Sequence, residues 1–349
     1  MAVPIVWQVR ARVTYDSFQS GQLDRRANGG NSYDYQAMRV LATAFDLTLD
    51  PAAVRATSGS LLRYWWRLRK GPPPCTMIIK DPQVVVMGPL GVVPVEVGMV
   101  HHINYLLPQS SSSDRWYLNR LKRRLARLSA VVTVSRFWQR ELENMGCRRV
   151  SVIYNSFDME EFEHRPGEVD SFLQKYALPT DRPLVYIGSS TAAKGAAEVY
   201  EVLKDEGYTL VMTGPKNEVT VPARWFNLER PEYLCLLKAC SVVINMSLFA
   251  EGWNRIAHEA MACKTPVIGS GAGGMGELLT GGRQIALGDT RGLRAAVRSV
   301  LDGRQAWANS GYDYVSQFDE EYFRGAWISF AREMTGPGQT GPRQTGSEQ

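Results

Sequence analysis

The sequence predicts an α/β protein of two similar domains, and three observations support this prediction. In the second half, short β-branched apolar runs alternate with amphipathic helical stretches, as in PLVYIGSS before KGAAEVYEVLKDEG and TPVIGS after NRIAHEAMAC. Such alternation is typical of a parallel sheet that helices cover on both faces. The first half repeats the pattern more loosely, and 349 residues are enough to bury two cores.

The order of these elements divides the chain into five parts. We predict a first domain over residues 1–160, a charged linker with prolines over 161–183, and a second domain over 184–316. A strongly amphipathic helix is predicted over 317–335. The tail, 336–349, is rich in glycine and glutamine and poor in apolar residues, so we expect it to be disordered.

The composition indicates the cellular compartment of the protein and the class of partner that it binds. A net charge of +5 is mild and fits an anionic ligand or a membrane surface. The five cysteines are scattered without CxxC spacing, which favours a reducing compartment and argues against a zinc site or a disulfide framework. The N-terminal residues lack the pattern of a signal peptide, and no apolar run is long enough to span a membrane. A cytoplasmic protein is therefore expected.

The stretch EGWNRIAHE carries two acids, Glu251 and Glu259, with Gly252 behind the first. If both lay on a helix they would be about 12 Å apart, whereas the paired carboxyl groups of glycosidases are roughly 5–9.5 Å apart. The spacing therefore fits a clamp on a ligand better than a hydrolytic pair. The predicted helix start at Gly252 offers backbone N–H groups to an anion. The alternative is a helix-capping acid followed by a surface acid, and spacing alone leaves both open.

Three basic side chains are placed where a parallel sheet binds ligands. Lys194 lies in a loop between a strand and a helix, where an ammonium group can stabilise a departing diphosphate or can simply be solvated. His101 and His102 end the strand VEVGMVHH, where a histidine can hydrogen-bond a sugar hydroxyl or an acceptor. The alternative is that strand alternation buries one histidine and exposes the other.

The helix RWYLNRLKRRLARL, residues 115–128, has a cationic face and an apolar stripe. It is either a solvated helix packed on its sheet or a docking surface for an anionic membrane. No aromatic RNA platform, helix-turn-helix or zinc pattern is present, so no nucleic-acid partner is expected.

The segment FAEGWNRIAHEAMACKTPVIGSGAGGMGELL closely resembles the signature of the retaining GT-B glycosyltransferases of family four, the glycosyl transferases group 1. VVTVSRFWQRELENMG with VSVIYNSFDMEEF is similar to the end of that family's first domain, and PLVYIGSSTAAKG to the loop that opens its second. The resemblance implies a GT-B fold, in which two Rossmann-like domains face each other across a cleft and the helix at 317–335 crosses back to the first domain.

The resemblance also implies roles for individual residues. Glu251 would contact the hydroxyls of the donor sugar and Glu259 the ribose of the nucleotide. The donor diphosphate would bind Lys194 and the backbone N–H groups around three consecutive residues, Gly252, Trp253 and Asn254. His101, with His102 as the second choice, would contact the sugar or the acceptor.

Two further positions follow from the same resemblance. Gly29 and Gly30 match the loop after the first strand, which would reach donor and acceptor. The family usually has an arginine five positions before the lysine, and this sequence has Ser189 there. One expected cation in the donor site is therefore missing, and Lys216 and Arg255 are the candidates to replace it.

The function implied is transfer of a sugar, with retention, from a nucleotide-diphosphate-sugar to an acceptor hydroxyl in polysaccharide, glycolipid or other glycoconjugate synthesis. The acceptor would contain sugar or be linked to lipid, and association with the cytoplasmic face of a membrane is an extension of this hypothesis. No metal or other cofactor is expected, because lysine and helix N–H groups would hold the diphosphate. Two alternatives stay open: a nucleotide-sugar 2-epimerase of the same fold, and a degenerate, non-catalytic partner subunit.

Overall fold

The computed structural model describes residues 2–9, 11–24, 29–50, 66, 74–103, 112–214 and 218–336. The described residues form two compact units. The first contains those up to Asn155 and those from Glu321 onward, and the second runs from Ser156 to Glu320. Each unit has a parallel sheet with helices, so the predicted α/β class with two sheets is confirmed.

The first unit has a parallel sheet whose central strands are buried along their whole length. This is the environment that continuous Val, Ile and Ala runs predict. The strands are β1 (Pro4–Gln8), β2 (Asp46–Leu49), β3 (Met77–Lys80), β4 (Val95–Val100), β5 (Ala130–Thr133) and β6 (Val150–Val152). Across the described residues their order is β2-β1-β3-β4-β5-β6, with every neighbouring pair parallel.

The helices that accompany this sheet are α1 (Arg12–Ser20), α2 (Gly29–Ala44), α3 (Pro82–Met87), α4 (Ser112–Leu125) and α5 (Arg136–Asn144). Helix α1 corrects the expectation that Gly29 and Gly30 form the loop after the first strand. The strand ends at Gln8, and a helix follows that ends at Gly21 in the left-handed conformation (φ 72°). Gly29 and Gly30 are the first residues of α2.

The predicted basic helix, 115–128, is observed as α4, which ends at Leu125, and five of the six cations in that stretch divide into two groups. Arg120 Nε donates to Val86 O at 2.8 Å and Arg124 Nε to Val85 O at 2.6 Å, so both occupy carbonyl groups at the end of α3. Burial, with repulsion from neighbouring arginines, lowers the pKa of Arg124 to about 10. The outward group consists of Arg115, Arg123 and Arg127, which are exposed. Among the described helices none is long and apolar enough to cross a bilayer.

The second unit is also built on a parallel sheet. Its strands are β7 (Leu184–Ser189), β8 (Thr209–Thr213), β9 (Arg224–Phe226), β10 (Val242–Asn245), β11 (Val267–Gly269) and β12 (Arg283–Gln284). The order in the described chain is β12-β11-β10-β7-β8-β9. The chain therefore forms the central strand β7 first and continues outward through β8 to β9. It then returns to the centre of the sheet and adds β10, β11 and β12 on the other side of β7. Ligands of such sheets bind where the order reverses, at the carboxyl ends of β7 and β10.

The helices of this unit are α6 (Glu168–Lys175), α7 (Ala196–Leu203), α8 (Arg230–Ala239), α9 (Arg255–Ala262), α10 (Met275–Leu278), α11 (Thr290–Asp302) and α12 (Arg304–Val315). The segment predicted as a linker, 161–183, lies in this unit and contains α6. Its Phe172 is buried against Tyr176 and Phe226, with ring centroids 4.8 and 6.5 Å away. Apolar packing therefore makes this segment part of the unit.

The last helix, α13 (Glu320–Thr335), returns the chain to the first unit. Its buried Trp327 lies 5.6 Å from Trp7 of β1, measured between ring centroids, and Phe323 lies 5.2 Å from Tyr33 of α2. The helix thus completes the core of a unit whose other described elements lie at least 165 positions earlier in the chain. The predicted tail, 336–349, lies outside the described residues except for Gly336.

Candidate functional site

The loops after β7 and β10 bring Lys194 and Glu251 together. Lys194 ends a short 3-10 helix, Ala192–Lys194, and its Nζ lies 2.6 Å from Glu251 Oε1. The ammonium group also lies 4.7 Å from the centre of the Phe249 ring, a cation–π distance. The Lys194 side chain is 26% exposed and that of Glu251 7%. Two residues predicted for the donor site therefore form an ion pair at the point where the strand order reverses.

The close approach of these two loops depends on Gly195. This residue has φ +72°, and a Cβ there would lie 2.2 Å from the carbonyl oxygen of Met246, which follows β10. The backbone N–H of Leu248 donates to Ala193 O at 2.9 Å, which joins the loops directly. A glycine after the lysine thus lets the loop carrying Lys194 rest on the backbone that leads to Glu251.

Glu251 is held by its backbone and by its side chain. Its N–H donates to Ala272 O at 3.1 Å, and its carbonyl accepts from Gly274 N–H at 2.8 Å. Its Oε1 also accepts hydrogen bonds from Ser247 Oγ and from Asn254 Nδ2, the latter at 3.3 Å. The carboxylate is therefore fixed before any ligand arrives.

The structure corrects the geometry assumed for the two acids. Glu251 forms a bridge with Gly273 and precedes α9, which begins only at Arg255, so the helical rise does not set its distance from Glu259. Asn254 is the N-cap of α9, and its Oδ1 accepts from Ala257 N–H at 2.9 Å. The predicted diphosphate-binding residues, Gly252 to Asn254, therefore lie just before a capped helix start.

The side chain of Trp253 is buried and bonded to His258. Trp253 Nε1 donates to His258 Nδ1 at 3.0 Å, and the His258 ring lies 4.6 Å from Phe157 and 6.1 Å from Phe318. His258 thus packs in the core, and only the backbone of Trp253 is available to a ligand at this site. Burial, with repulsion from Arg255, lowers the pKa of His258 to about 3.

This lowered pKa predicts an acid-sensitive fold. Below about pH 6.5 the unfolded chain binds a proton at His258 while the native ring stays neutral, so stability falls as the pH drops toward 3. His258→Gln keeps an acceptor for Trp253 and cannot titrate. The melting temperature of His258→Gln should therefore fall less steeply than that of the parent between pH 6.5 and 4. His164→Gln, at an exposed position, is the control. Parallel slopes for the parent and His258→Gln would contradict the assignment.

Glu259 belongs to a second cluster, which contains Arg230 and Tyr233 of α8. Arg230 Nη1 donates to Glu259 Oε1 at 2.7 Å, and Tyr233 Oη donates to Glu259 Oε2 at 3.0 Å. Two further nitrogens of Arg230 bind the Glu161 carboxylate at 2.8 Å each. Burial alone would lower the pKa of Arg230, but attraction to Glu259 and Glu161 outweighs it and raises that pKa.

Arg255 and Lys216 were the residues predicted to replace the arginine that the family usually has at the position of Ser189. Arg255 lies over the Phe157 ring at 4.3 Å. Burial lowers the pKa of Arg255, and the charges that act on it include Glu259, Arg230 and Glu161, so it belongs to the Glu259 cluster. Lys216 lies outside the described residues. Ser189 is the last residue of β7 and is half-buried.

In the first unit, His101 follows β4 and contacts α2. Its Nε2 lies 2.9 Å from Asp34 Oδ1, and its ring meets that of Tyr33 edge-on at 5.0 Å. His102 is exposed. The predicted position of both histidines at a strand end is confirmed. No group of three or more His, Cys, Asp or Glu among the described residues is arranged to hold a metal ion.

The side chains that hold the predicted residues and that sequence reasoning missed include Arg230, Tyr233, Ser247 and Asp34. A signal existed for the first two, because Pro231 marks a helix start and residues three apart share a helix face. Asp34 lies 67 positions from His101, and nothing in a single sequence connects them.

Comparison with known proteins identifies two family models along the chain. The model of Glycosyltransferase Family 4 matches residues 48–161, and that of Glycosyl transferases group 1 matches residues 184–303. A glycogen synthase of Mycobacterium tuberculosis is 28% identical over 183 residues, which cover 46% of this chain and 42% of that protein. The chain thus spans less than half the length of this curated relative.

Two solved structures share the fold over nearly the whole chain. Sucrose-phosphate synthase from Thermosynechococcus elongatus superposes with a TM-score of 0.74 at 16% identity, covering 95% of this chain and 99% of that one. Anabaena HepE, solved with UDP, gives a TM-score of 0.70 at 17% identity, covering 95% and 100%. The chain therefore has the GT-B fold, with a segment that matches Glycosyltransferase Family 4 in its first half and a segment that matches Glycosyl transferases group 1 in its second.

Proposed function

We propose that the protein transfers a sugar from a nucleotide-diphosphate-sugar to an acceptor hydroxyl. The observation that carries the proposal is the Lys194–Glu251 pair, at 2.6 Å, where the strand order of the second unit reverses. A cation and a carboxylate side by side match a ligand with a negative diphosphate next to a sugar bearing hydroxyls. The backbone before α9 adds N–H donors and the positive end of a helix dipole.

Each residue then has a defined task. Lys194 neutralises negative charge on the leaving diphosphate, which is worth most where water is excluded. Glu251 accepts hydrogen bonds from the donor sugar. The N–H groups of residues 252–254 hold phosphate oxygens, and Glu259 accepts from ribose hydroxyls with Arg230 and Tyr233 keeping it in place.

We propose retention at the anomeric carbon, as the family resemblance implies. The acceptor oxygen bonds to that carbon as its bond to the diphosphate breaks, and the acceptor proton passes to a diphosphate oxygen. A hexose on a uridine nucleotide is the first donor to test, because HepE was solved with UDP-glucose. Because Lys194 and helix N–H groups supply positive charge, we expect activity without an added metal.

A donor screen tests the proposal. The full chain is incubated with nucleotide sugars that differ in base and sugar, and the shift in melting temperature identifies the ligand. Sugar and lipid-linked acceptors are then added, with and without EDTA, and mass spectrometry detects the product. Proton NMR of the new linkage gives the anomeric configuration. A stabilising donor and a transferred sugar support the proposal.

The same screen separates the alternatives. Epimerisation of the donor sugar without an acceptor would support a nucleotide-sugar 2-epimerase. Donor binding without turnover across all acceptors would support a non-catalytic partner subunit, which Ser189 in place of the family's arginine motivates. No stabilisation by any nucleotide sugar would contradict the proposed function.

We further propose that α4 brings the protein to an anionic membrane carrying a lipid-linked acceptor. With Arg120 and Arg124 engaged at α3 and Lys122 half-buried, the exposed cations are Arg115 and Arg123 of α4 and Arg127 just after it. Trp116 beside them is 52% exposed, which is unusual for so large an apolar surface. Cations next to an exposed tryptophan suit the headgroup layer of a bilayer.

Reversing those three charges to glutamate should abolish binding to phosphatidylcholine vesicles that contain phosphatidylglycerol. Each cation near such a surface contributes about 1 kcal/mol, so losing three weakens partitioning by roughly a hundredfold or more. The control reverses three exposed arginines of the second unit, Arg182, Arg291 and Arg298. Sedimentation with the vesicles measures both variants. Equal binding by both variants and the parent would exclude α4 as the docking surface.

A further inference from the structure

The contact between Asp34 and His101 fixes which ring nitrogen carries the proton. His101 Nε2 lies 2.9 Å from Asp34 Oδ1, and the two side chains are 23% and 13% exposed. A carboxylate at neutral pH can only accept hydrogen bonds, so Nε2 must be the protonated nitrogen. In the neutral ring, Nδ1 then carries a lone pair and acts as an acceptor.

Tyr33, the neighbour of Asp34 on α2, fixes the plane of the same ring. Tyr33 is fully buried, its hydroxyl donates to Ile153 O at 2.8 Å, and Phe323 packs on it edge-on. Its ring meets that of His101 at 5.0 Å and 86°. Helix α2 therefore supplies both a hydrogen-bond acceptor for the imidazole, Asp34, and an aromatic ring that packs against it, Tyr33. This arrangement leaves His101 few orientations.

The position of the pair points to a ligand. His101 directly follows β4, at the carboxyl edge of a parallel sheet, where ligands of such sheets bind. The ring is partly exposed there, unlike His258, which is fully buried. An acceptor nitrogen on a partly exposed ring at this edge suits a hydroxyl group.

Resting on the proposed transferase function, we infer that Asp34 is a positioning residue for His101. By holding Nε2–H, Asp34 makes His101 accept, through Nδ1, a hydrogen bond from a hydroxyl of the substrate sugar. The site thus requires a hydrogen-bond donor at one position of that sugar. Fluorine, which cannot donate, is rejected there.

Nitrogen-15 NMR of the full chain tests the tautomer without any substrate. The protein has four histidines, and comparison with His101→Gln assigns the signals of His101. We expect the Nε2–H form in the parent and a shift toward a mixture of forms in Asp34→Ala. The control is Asp16→Ala, which removes a carboxylate paired with Arg12 on the surface of the same unit. An Nδ1–H form in the parent, or no change in Asp34→Ala, overturns the inference.

A double-mutant cycle then tests the catalytic consequence. Because a hydrogen bond to a charged group contributes about 1.5–3 kcal/mol, Asp34→Ala should lower kcat/KM by about tenfold or more. In a His101→Ala background the same change should cost less than about twofold, since the two residues act as one unit. A purely structural role of Asp34 predicts equal losses in both backgrounds and would overturn the inference.

A series of deoxyfluoro substrate sugars tests the direction of the hydrogen bond. Replacing one hydroxyl with fluorine should slow the parent strongly and His101→Ala little. Equal penalties at every position in both proteins would contradict acceptance by Nδ1. If no donor is turned over, the proposed function fails while the NMR result still decides the role of Asp34. If transfer is observed without coupling between the two residues, only this inference fails.

Discussion

Replacing Lys194 with alanine should lower kcat by about 10²–10³, the effect of removing one preorganised charge-stabilising donor. The ammonium group is held between the Glu251 carboxylate and the Phe249 ring, in a loop fixed by Gly195. Charge builds on the diphosphate only as the sugar–oxygen bond breaks, so the loss should appear in kcat more than in KM. Steady-state kinetics at saturating acceptor measure both constants.

The control for this variant is Lys204→Ala in the same unit. Lys204 is an exposed lysine that pairs with Glu201 at 2.6 Å on the surface, so its loss should leave both constants unchanged. A kcat for Lys194→Ala within twofold of the parent would remove Lys194 from the catalytic machinery. An equal loss in both lysine variants would indicate a general effect of charge.

Replacing Arg230 with alanine should destabilise the second unit and weaken donor binding together. It removes the cation from a buried carboxylate, Glu259, and leaves Tyr233 as the hydrogen-bond partner on the other oxygen. Breaking a buried ion pair costs about 3–5 kcal/mol, and since Arg230 is itself about a third exposed we expect roughly 2 kcal/mol. Urea unfolding measures the stability, and the KM for the donor measures the loss at the ribose.

Two further variants identify the cause of that loss. In a Glu259→Gln background the side chain is already neutral, so Arg230→Ala should cost clearly less stability than in the parent. Arg224→Ala is the matched control, because Arg224 is exposed and donates to the backbone carbonyl groups of Tyr176 and Ala177. If Arg230→Ala costs the same in the Glu259→Gln background as in the parent, the ion pair is not the source of the stability.

Sequence patterns predicted the architecture well because the pattern of a buried strand and the pattern of an amphipathic helix are both local. Continuous β-branched runs followed by helical stretches determine parallel strands, and the loops after β7 and β10 contain the residues expected there. The helix start predicted at Gly252 is observed three residues later, at Arg255, with Asn254 as its N-cap.

The side-chain contacts that form the site could not be predicted from the sequence. Lys194 and Glu251 are 57 positions apart, and Arg230 and Glu259 are 29 apart. Periodicity describes which face of an element is apolar, but not which charged side chains meet when loops from different strands come together. Helix α1 was also missed: Gly29 and Gly30 were predicted to form the loop after the first strand, whereas that strand ends at Gln8 and α1 comes before the two glycines.

The return of the chain in α13 has a consequence for biosynthesis. Residues 156–320 form a continuous unit, which can fold as soon as it has left the ribosome. The first unit is begun earlier but cannot cover Trp7 and Tyr33 until Trp327 and Phe323 have been synthesised. During translation the unit that is made first is thus the last to be completed, and its apolar surface stays exposed for most of that time. A nascent chain stalled before residue 320 is therefore a natural client for a chaperone.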